Sequence, residues 1–456
     1  MNPHFPFVLV PPIPIEMLNC QKPAVCLAVL AVASFDNATT QQMLGELFNK
    51  LVTLRMMDGN FASLEMLQGL LIFLAWAQYQ PRPKRYSQHL GLAVSIISDL
   101  RMDRPKNTKL WGLDSKNEDS VHDWTPDEVR AVAGTYYLAS STSVLLQKSR
   151  SFGYRPYYLQ RCEALSALQL EPSDKYLSLI IRMQRMIEAI SDTMAGEPES
   201  SYLPPPGLRI EELANELTTV KAAISFPLSE NRILSLQVHI AELLLGQSGP
   251  GESLFGLDKL QEGRVSYDNP HEFLQWLSGS IFAVKSIVNI SLALPVGDEA
   301  IITNMEWIAL YCGLSLATRL DIVATHPNIC QQTKQLRQFT DMAHVLRQTI
   351  LRLESASVSI KDPGGENNVF LHLAKRAKFL ETWYLGRLAQ YATTTSRINS
   401  SAIRDYAPTL DPNMGCLDTE TNSGTNGHHI SDMLASLQAE YDFGSFTFAL
   451  PGPFDL

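Results

Sequence analysis

Cysteine is sparse in this sequence and badly spaced for cross-linking. Six occur in 456 residues, Cys20, Cys26, Cys162, Cys312, Cys330 and Cys416. Scattered singly, they exclude a disulfide framework and fit buried thiols of a reducing compartment. Long apolar runs are also missing. Ala24 to Ala33 is too short to cross a bilayer, and the proline-rich stretch before it lacks the basic start of a signal peptide. Leu70 to Ala77 is shorter still, and Ile281 to Val296 carries Lys285 and Asn289 in its middle, as a core helix does. A soluble intracellular protein with no membrane partner is expected, and the Asn37-Ala38-Thr39 sequon then has no use. An excess of basic charge is absent: 37 Lys and Arg face 47 Asp and Glu, a net charge of −10. That argues against a whole-surface binder of polyanions.

Catalytic signatures are missing too. Gly251 and Gly256 have the spacing of a phosphate loop, but Leu257 and Asp258 stand where Lys and Ser or Thr belong. No G-x-S-x-G occurs, and no two aspartates are adjacent as on the metal-binding helix of a terpene cyclase. His428 and His429, with Cys416 before them, lie in a low-complexity stretch without the convergent ligands a metal requires. His89, His239, His344 and His372 fall singly on expected helices. The densest basic run, Pro81 to Arg85, reads as a solvated turn in preference to a nuclear import signal. The sequence therefore predicts no enzyme, no catalytic, metal-binding or DNA-contacting residue, and no cofactor.

What is present is helical periodicity. Met43, Leu44, Leu47, Phe48, Leu51 and Leu54 form an i, i+3, i+4, i+7 stripe over 41–57, with cap candidates from Asn37 to Thr40. Further helices are expected at 63–80, stopped by Pro81 and Pro83, and at 86–102 before Pro105. Residues 106–124 read as a loop. Pro126, Asp127 and Glu128 then mark a helix start, with acids at the positive end of its dipole. That helix should reach Lys148. Others are expected at 155–169, 174–194, 208–225, 230–246, 270–293, 303–324, 330–356 and 368–392. About twelve helices without an alternating strand pattern predict an all-α, multi-helix bundle of packed antiparallel helices over 1–392.

The end of the chain differs in composition. Residues 393–429 are rich in Ser, Thr, Asn and Gly and read as a disordered linker. Residues 430–456 interleave acids with Met433, Leu434, Leu437, Tyr441, Phe443, Phe446 and Phe448. Acidic-hydrophobic alternation marks activation segments, whose apolar side chains dock on a coactivator groove; a packed C-terminal arm is the alternative. From Asp405 onward there are eight acids and no Lys or Arg, so residues 1–404 carry only −2. The net acidity describes the tail.

Three stretches carry a family resemblance. They are His4 to Pro12 with Lys22 to Ala33; Gln68 to Tyr79 with Tyr86 to Pro105, ending in Asp99-Leu-Arg-Met-Asp-Arg-Pro105; and Asp127 to Ser141 with Leu145 to Lys148. Together these resemble the regulatory middle-homology domain of fungal binuclear zinc cluster transcription factors, over residues 4–300. The resemblance implies an all-α domain of a nuclear transcriptional regulator of a metabolic or secondary-metabolite gene set, with an activation segment at the acidic tail. Its partners would be coactivators or another regulator, homodimerisation also being open.

The departure is in the zinc cluster, which needs two C-x2-C-x6-C halves so that six thiolates bridge two zinc ions. Only Cys20 and Cys26 lie near each other, and five residues between them fit neither half. The sequence is thus either an incomplete gene model or a cluster-less relative. Zinc enters only if an upstream cluster exists, and DNA is reached indirectly or through such a module. The alternative to a regulator is a cluster-less helical protein that sequesters a partner or senses a metabolite, with Trp76, Tyr79, Tyr136 and Tyr137 as candidate pocket residues.

Overall fold

A computed structural model describes residues 4–79, 86–104, 124–146, 148, 150–195, 206–247, 270–325, 329–361 and 368–404. Among these residues there are α-helices and short 3-10 turns but no sheet; the nearest approach to a strand is one bridge between Asn37 and Lys361. The α-helices are α1 (Ile15–Gln21), α2 (Pro23–Ala33), α3 (Ala38–Met57), α4 (Leu64–Ala75), α5 (Tyr86–Asp99), α6 (Pro126–Leu145), α7 (Pro156–Leu168), α8 (Asp174–Ala195), α9 (Pro206–Ala223), α10 (Arg232–Gln247), α11 (Pro270–Leu292), α12 (Asn304–Ala324), α13 (Lys334–Thr340), α14 (Met342–Val358) and α15 (Val369–Arg404). The all-helical class expected from periodicity is the class found. The tail residues Met433 to Phe448, the His428-His429 pair and Pro81 to Arg85 lie outside the described residues.

Consecutive helices pack on one another and the chain then closes on itself. Helix α2 lies against α3 and α4, α4 against α5 and α6, α6 against α7 and α8, and α8 against α9 and α10. Helices α10, α11 and α12 follow in series, α14 pairs with α15, and α12 returns to touch α4, α6 and α15. Buried side chains from all these helices form one continuous core. Helices α11 and α12 are long and apolar enough to cross a membrane by composition alone, yet much of each is buried inside this core.

Local chemistry explains the helix starts. Thr125 and Glu128 form a reciprocal capping box: the Glu128 backbone N–H donates to Thr125 Oγ1 at 3.3 Å, and Glu128 Oε2 accepts from Thr125 N–H at 2.7 Å. At α3, Asn37 Oδ1 accepts from Thr40 N–H at 3.0 Å, so the sequon asparagine serves as a cap.

Three expectations need correction. Helices α1 and α2 precede the first expected helix. Residues 330–356 are not one helix: Asp341 takes φ +34°, separates α13 from α14, and caps α14 by accepting from His344 N–H. The last helix continues past 392 to Arg404. The stripe of α3 turns largely away from the core. Only Phe48 of its six residues is buried, while Met43, Leu47 and Leu54 are exposed. The buried side consists of Ala38, Gln41, Gly45, Phe48 and Val52. Gln41 Nε2 donates to the Ala31 carbonyl at 3.1 Å, and Phe48 stacks on Phe73 at 4.3 Å. Small residues and one satisfied amide let α3 settle closely on α2, which leaves the bulky stripe outside.

Candidate functional site

The three stretches quoted above fold against one another. Phe5 meets Trp76 edge-on with ring centres 5.9 Å apart, Phe7 stacks on Tyr137 at 5.2 Å, and the two phenylalanines contact each other at 5.0 Å. The N-terminal segment thus threads between α4 and α6. Gly134 makes room for it: a Cβ there would stand 2.6 Å from Phe7 Cβ. Gly69 does the same for the α2–α4 crossing, where a Cβ would lie 3.0 Å from the Ala24 backbone. Lys22 Nζ donates to Gln68 Oε1 at 3.0 Å and sits 3.7 Å from the Asp127 carboxylate, tying the starts of α2 and α6. Tyr86 of α5 accepts from Thr142 Oγ1 at 3.4 Å.

Helix α6 is also the inner wall of a buried polar seam. Arg130 makes a two-pronged pair with Asp174, both bonds 2.8 Å, and a third bond of 2.9 Å to Asp127. Its side chain and that of Asp174 are 4% and 0% exposed. Two turns on, Tyr136 donates to Glu188 Oε2 at 2.7 Å, and Arg150 pairs with Glu188 and Asp192. Gln184 Nε2 donates to Ser140 Oγ at 2.8 Å while its Oε1 accepts from Ser141 and from Gln237 of α10. Burial holds the Glu188 carboxyl above the usual carboxylate range, against the opposing pull of the Tyr136 hydroxyl and Arg150. It pushes the Tyr136 hydroxyl up as well, with Glu188 adding to the shift. Such a seam fixes the register of α6 against α8 and α10, because a slip would leave buried polar groups unpaired.

The first half is tied to the second at one corner. Gln78 Nε2 donates to the Ile302 carbonyl at 2.9 Å. Just beyond, Glu306 accepts from Thr303 in a second capping box and pairs with Arg232 at 2.9 Å. Burial raises the Glu306 pKa, opposed by the nearby Arg232 charge and the Thr303 hydrogen bonds.

The four aromatic residues expected at a pocket are all buried: Trp76, Tyr79, Tyr136 and Tyr137. They do not converge on one opening. Trp76 and Tyr137 sandwich Phe5 and Phe7, Tyr79 faces Phe370, and Tyr136 faces Tyr154 and Tyr158. A depression lies elsewhere, between α11, α12 and α14, lined by Ile281, Val288, Ala317, Asp321 and Met342. Sequence reading missed Asp174, Gln184, Glu188 and Gln237. The i, i+4 placement of Gln184 and Glu188 was visible, but nothing in it distinguishes a buried polar side from a solvated one.

Comparison with known proteins gives the chain its relatives. It is 33% identical over 394 residues to the transcription factor himD of Aspergillus japonicus, covering 85% of this chain and 64% of that protein. It is 23% identical over 246 residues to the transcription factor opdL of Penicillium oxalicum, covering 50% and 43% respectively. The chain is a homologue of fungal transcription factors. It spans less than two thirds of the length of either relative. No family model and no solved structure matches it. Both relatives are named as transcription factors, and among the described residues no group of three or more His, Cys, Asp or Glu side chains could hold a metal ion.

Proposed function

We propose that the chain is the regulatory part of a fungal transcriptional regulator that acts in the nucleus on a metabolic or secondary-metabolite gene set. The observation that carries this reading is the convergence of two facts. The stretches resembling the middle-homology domain of zinc cluster factors pack as one unit around Phe5, Phe7, Trp76, Gly134 and Tyr137. The relative that covers most of the chain is itself a transcription factor. In this reading residues 1–392 form the regulatory body, 393–429 a linker into which α15 continues as far as Arg404, and 430–456 the activation segment. Met433, Leu434, Leu437, Tyr441, Phe443, Phe446 and Phe448 would dock on a coactivator while the neighbouring acids keep them solvated. DNA would be reached through another protein or through a zinc cluster module outside these residues.

Deleting the gene and comparing transcript levels tests the regulatory claim. A defined gene set should change, and the tagged full chain should be nuclear. An unchanged transcriptome under conditions where the protein is abundant refutes the reading.

A further inference from the structure

Helix α5 ends in a turn that one of its residues does not suit. The Met102 N–H donates to the Ile97 carbonyl at 2.9 Å and the Arg101 N–H to the Ser98 carbonyl at 3.1 Å, the paired bonds of a Schellman cap. Arg101 takes the left-handed position of that cap, at φ +54°, where glycine is the residue that fits without strain. Its side chain is exposed and has no partner among the described residues. The turn is nevertheless held firmly. Met102 is buried, and Tyr157 shares its hydroxyl proton between the Met102 and Arg104 carbonyls, 2.8 and 2.9 Å away. A strained residue fixed in this way, with its charge outward, points to a use for the charge.

Two more guanidinium groups stand at the same place. Arg104 and Arg155 both reach Asp103 Oδ2, at 3.3 and 3.6 Å, and remain 47% and 56% exposed, while the Asp103 side chain lies largely covered. The acids that open α6 are engaged: Asp127 pairs with Lys22 and Arg130, and Glu128 closes the capping box. We propose that Arg101, Arg104 and Arg155 form a contact for the phosphate backbone of duplex DNA, made by the helical body itself. The planar fork of arginine matches phosphate oxygens, and side chains on a rigid turn are already aimed. Such a contact positions a protein on the duplex and reads no sequence. It is local, so the net acidity of the chain, which belongs to the tail, does not oppose it. The proposal rests on the reading of the chain as a transcriptional regulator. Duplex binding in solution is measured apart from transcript levels, so either can fail alone.

The test is fluorescence anisotropy of a labelled mixed-sequence duplex of about 30 base pairs, titrated with the full chain in about 50 mM salt. The wild type should bind with a Kd below about 100 μM, and its affinity should fall with salt with a logarithmic slope of about −3. Arg101→Gly/Arg155→Ser should weaken binding about tenfold or more and flatten the slope to about −1. Each substitution installs the residue its backbone position favours, glycine at the left-handed cap of α5 and serine at the N-cap of α7. The melting temperature should therefore hold or rise while binding is lost. Lys50→Gln/Lys334→Gln removes the same charge from two other exposed positions and should change affinity by less than about twofold. Three results overturn the proposal: no duplex binding by the wild type, a loss no greater for the arginine pair than for the lysine pair, or binding to vesicles of anionic phospholipid with none to the duplex.

Discussion

Replacing Arg130 and Asp174 by shape-matched apolar residues, singly and together, probes the buried seam at its strongest point. Arg130→Met leaves a carboxylate that is 0% exposed with a single remaining side-chain bond, from Glu171 N–H at 3.0 Å. Its cost should lie near the upper end of the about 3–5 kcal/mol for breaking a buried pair. Asp174→Leu leaves the guanidinium bonded to Asp127, whose side chain is 36% exposed. That variant should lie near the lower end of the same range, about 3 kcal/mol. The double variant loses the pair and the Glu171 contact together but strands no charge, so it should lie within about 1–2 kcal/mol of wild type. Urea denaturation followed by far-ultraviolet circular dichroism reads all four proteins, helix being the regular structure of the described residues. With those costs the cycle should return a coupling of about 6 kcal/mol. Additivity within about 0.5 kcal/mol, or an Arg130→Met cost below about 1 kcal/mol, refutes the claim that this pair locks α6 to α8.

Other outcomes follow from the same contacts. Gly134→Ala should destabilise by about 1–3 kcal/mol because its Cβ meets Phe7 Cβ, whereas Gly91→Ala, with nothing within 4 Å, should stabilise by about 0.5–1 kcal/mol in the same denaturation assay. The Glu188 pKa is raised in the folded chain, so its stabilising contribution is complete below the unfolded carboxylate pKa and is lost as pH rises through the folded value. Relative to Glu188→Gln, the wild type should therefore lose stability on going from about pH 4 to 7, measured as denaturation midpoints at each pH. Among the thiols, exposed Cys20 should be labelled by a maleimide long before Cys162, which is buried and whose pKa is pushed up to about 12 by desolvation and neighbouring carboxylates; peptide mass spectrometry gives the order.

The helical class was readable because most of its helices show period and punctuation together: Pro126 and the acids after it mark the start of α6, and Asn37 the start of α3. Helix α2 escaped because it is apolar on every side, as a helix covered by both α3 and α4 must be, and periodicity is silent there. In α3 the apolar period runs along a side that the core did not take. Its period is strong, but period says that a face is apolar and not what covers it, and the core took the face carrying Gly45 and Gln41. The break at Asp341 was hidden because a single left-handed residue interrupts the path of a helix without disturbing its composition. At the candidate site, Trp76 and Tyr79 just beyond α4 and Tyr136 and Tyr137 on α6 are the expected pocket residues, but sequence cannot tell a ring that lines a cavity from one that fills it. Here Phe5 and Phe7, far away in the chain, fill the space between Trp76 and Tyr137.

Tethering the full chain to a heterologous DNA-binding domain upstream of a reporter is the most direct test of a regulator with its activation segment at 430–456. The tethered chain should raise reporter output, and replacing Phe443, Phe446 and Phe448 by alanine should return it to background. A tethered chain that is expressed, nuclear and without effect on the reporter, or an effect unchanged by the three substitutions, would contradict it.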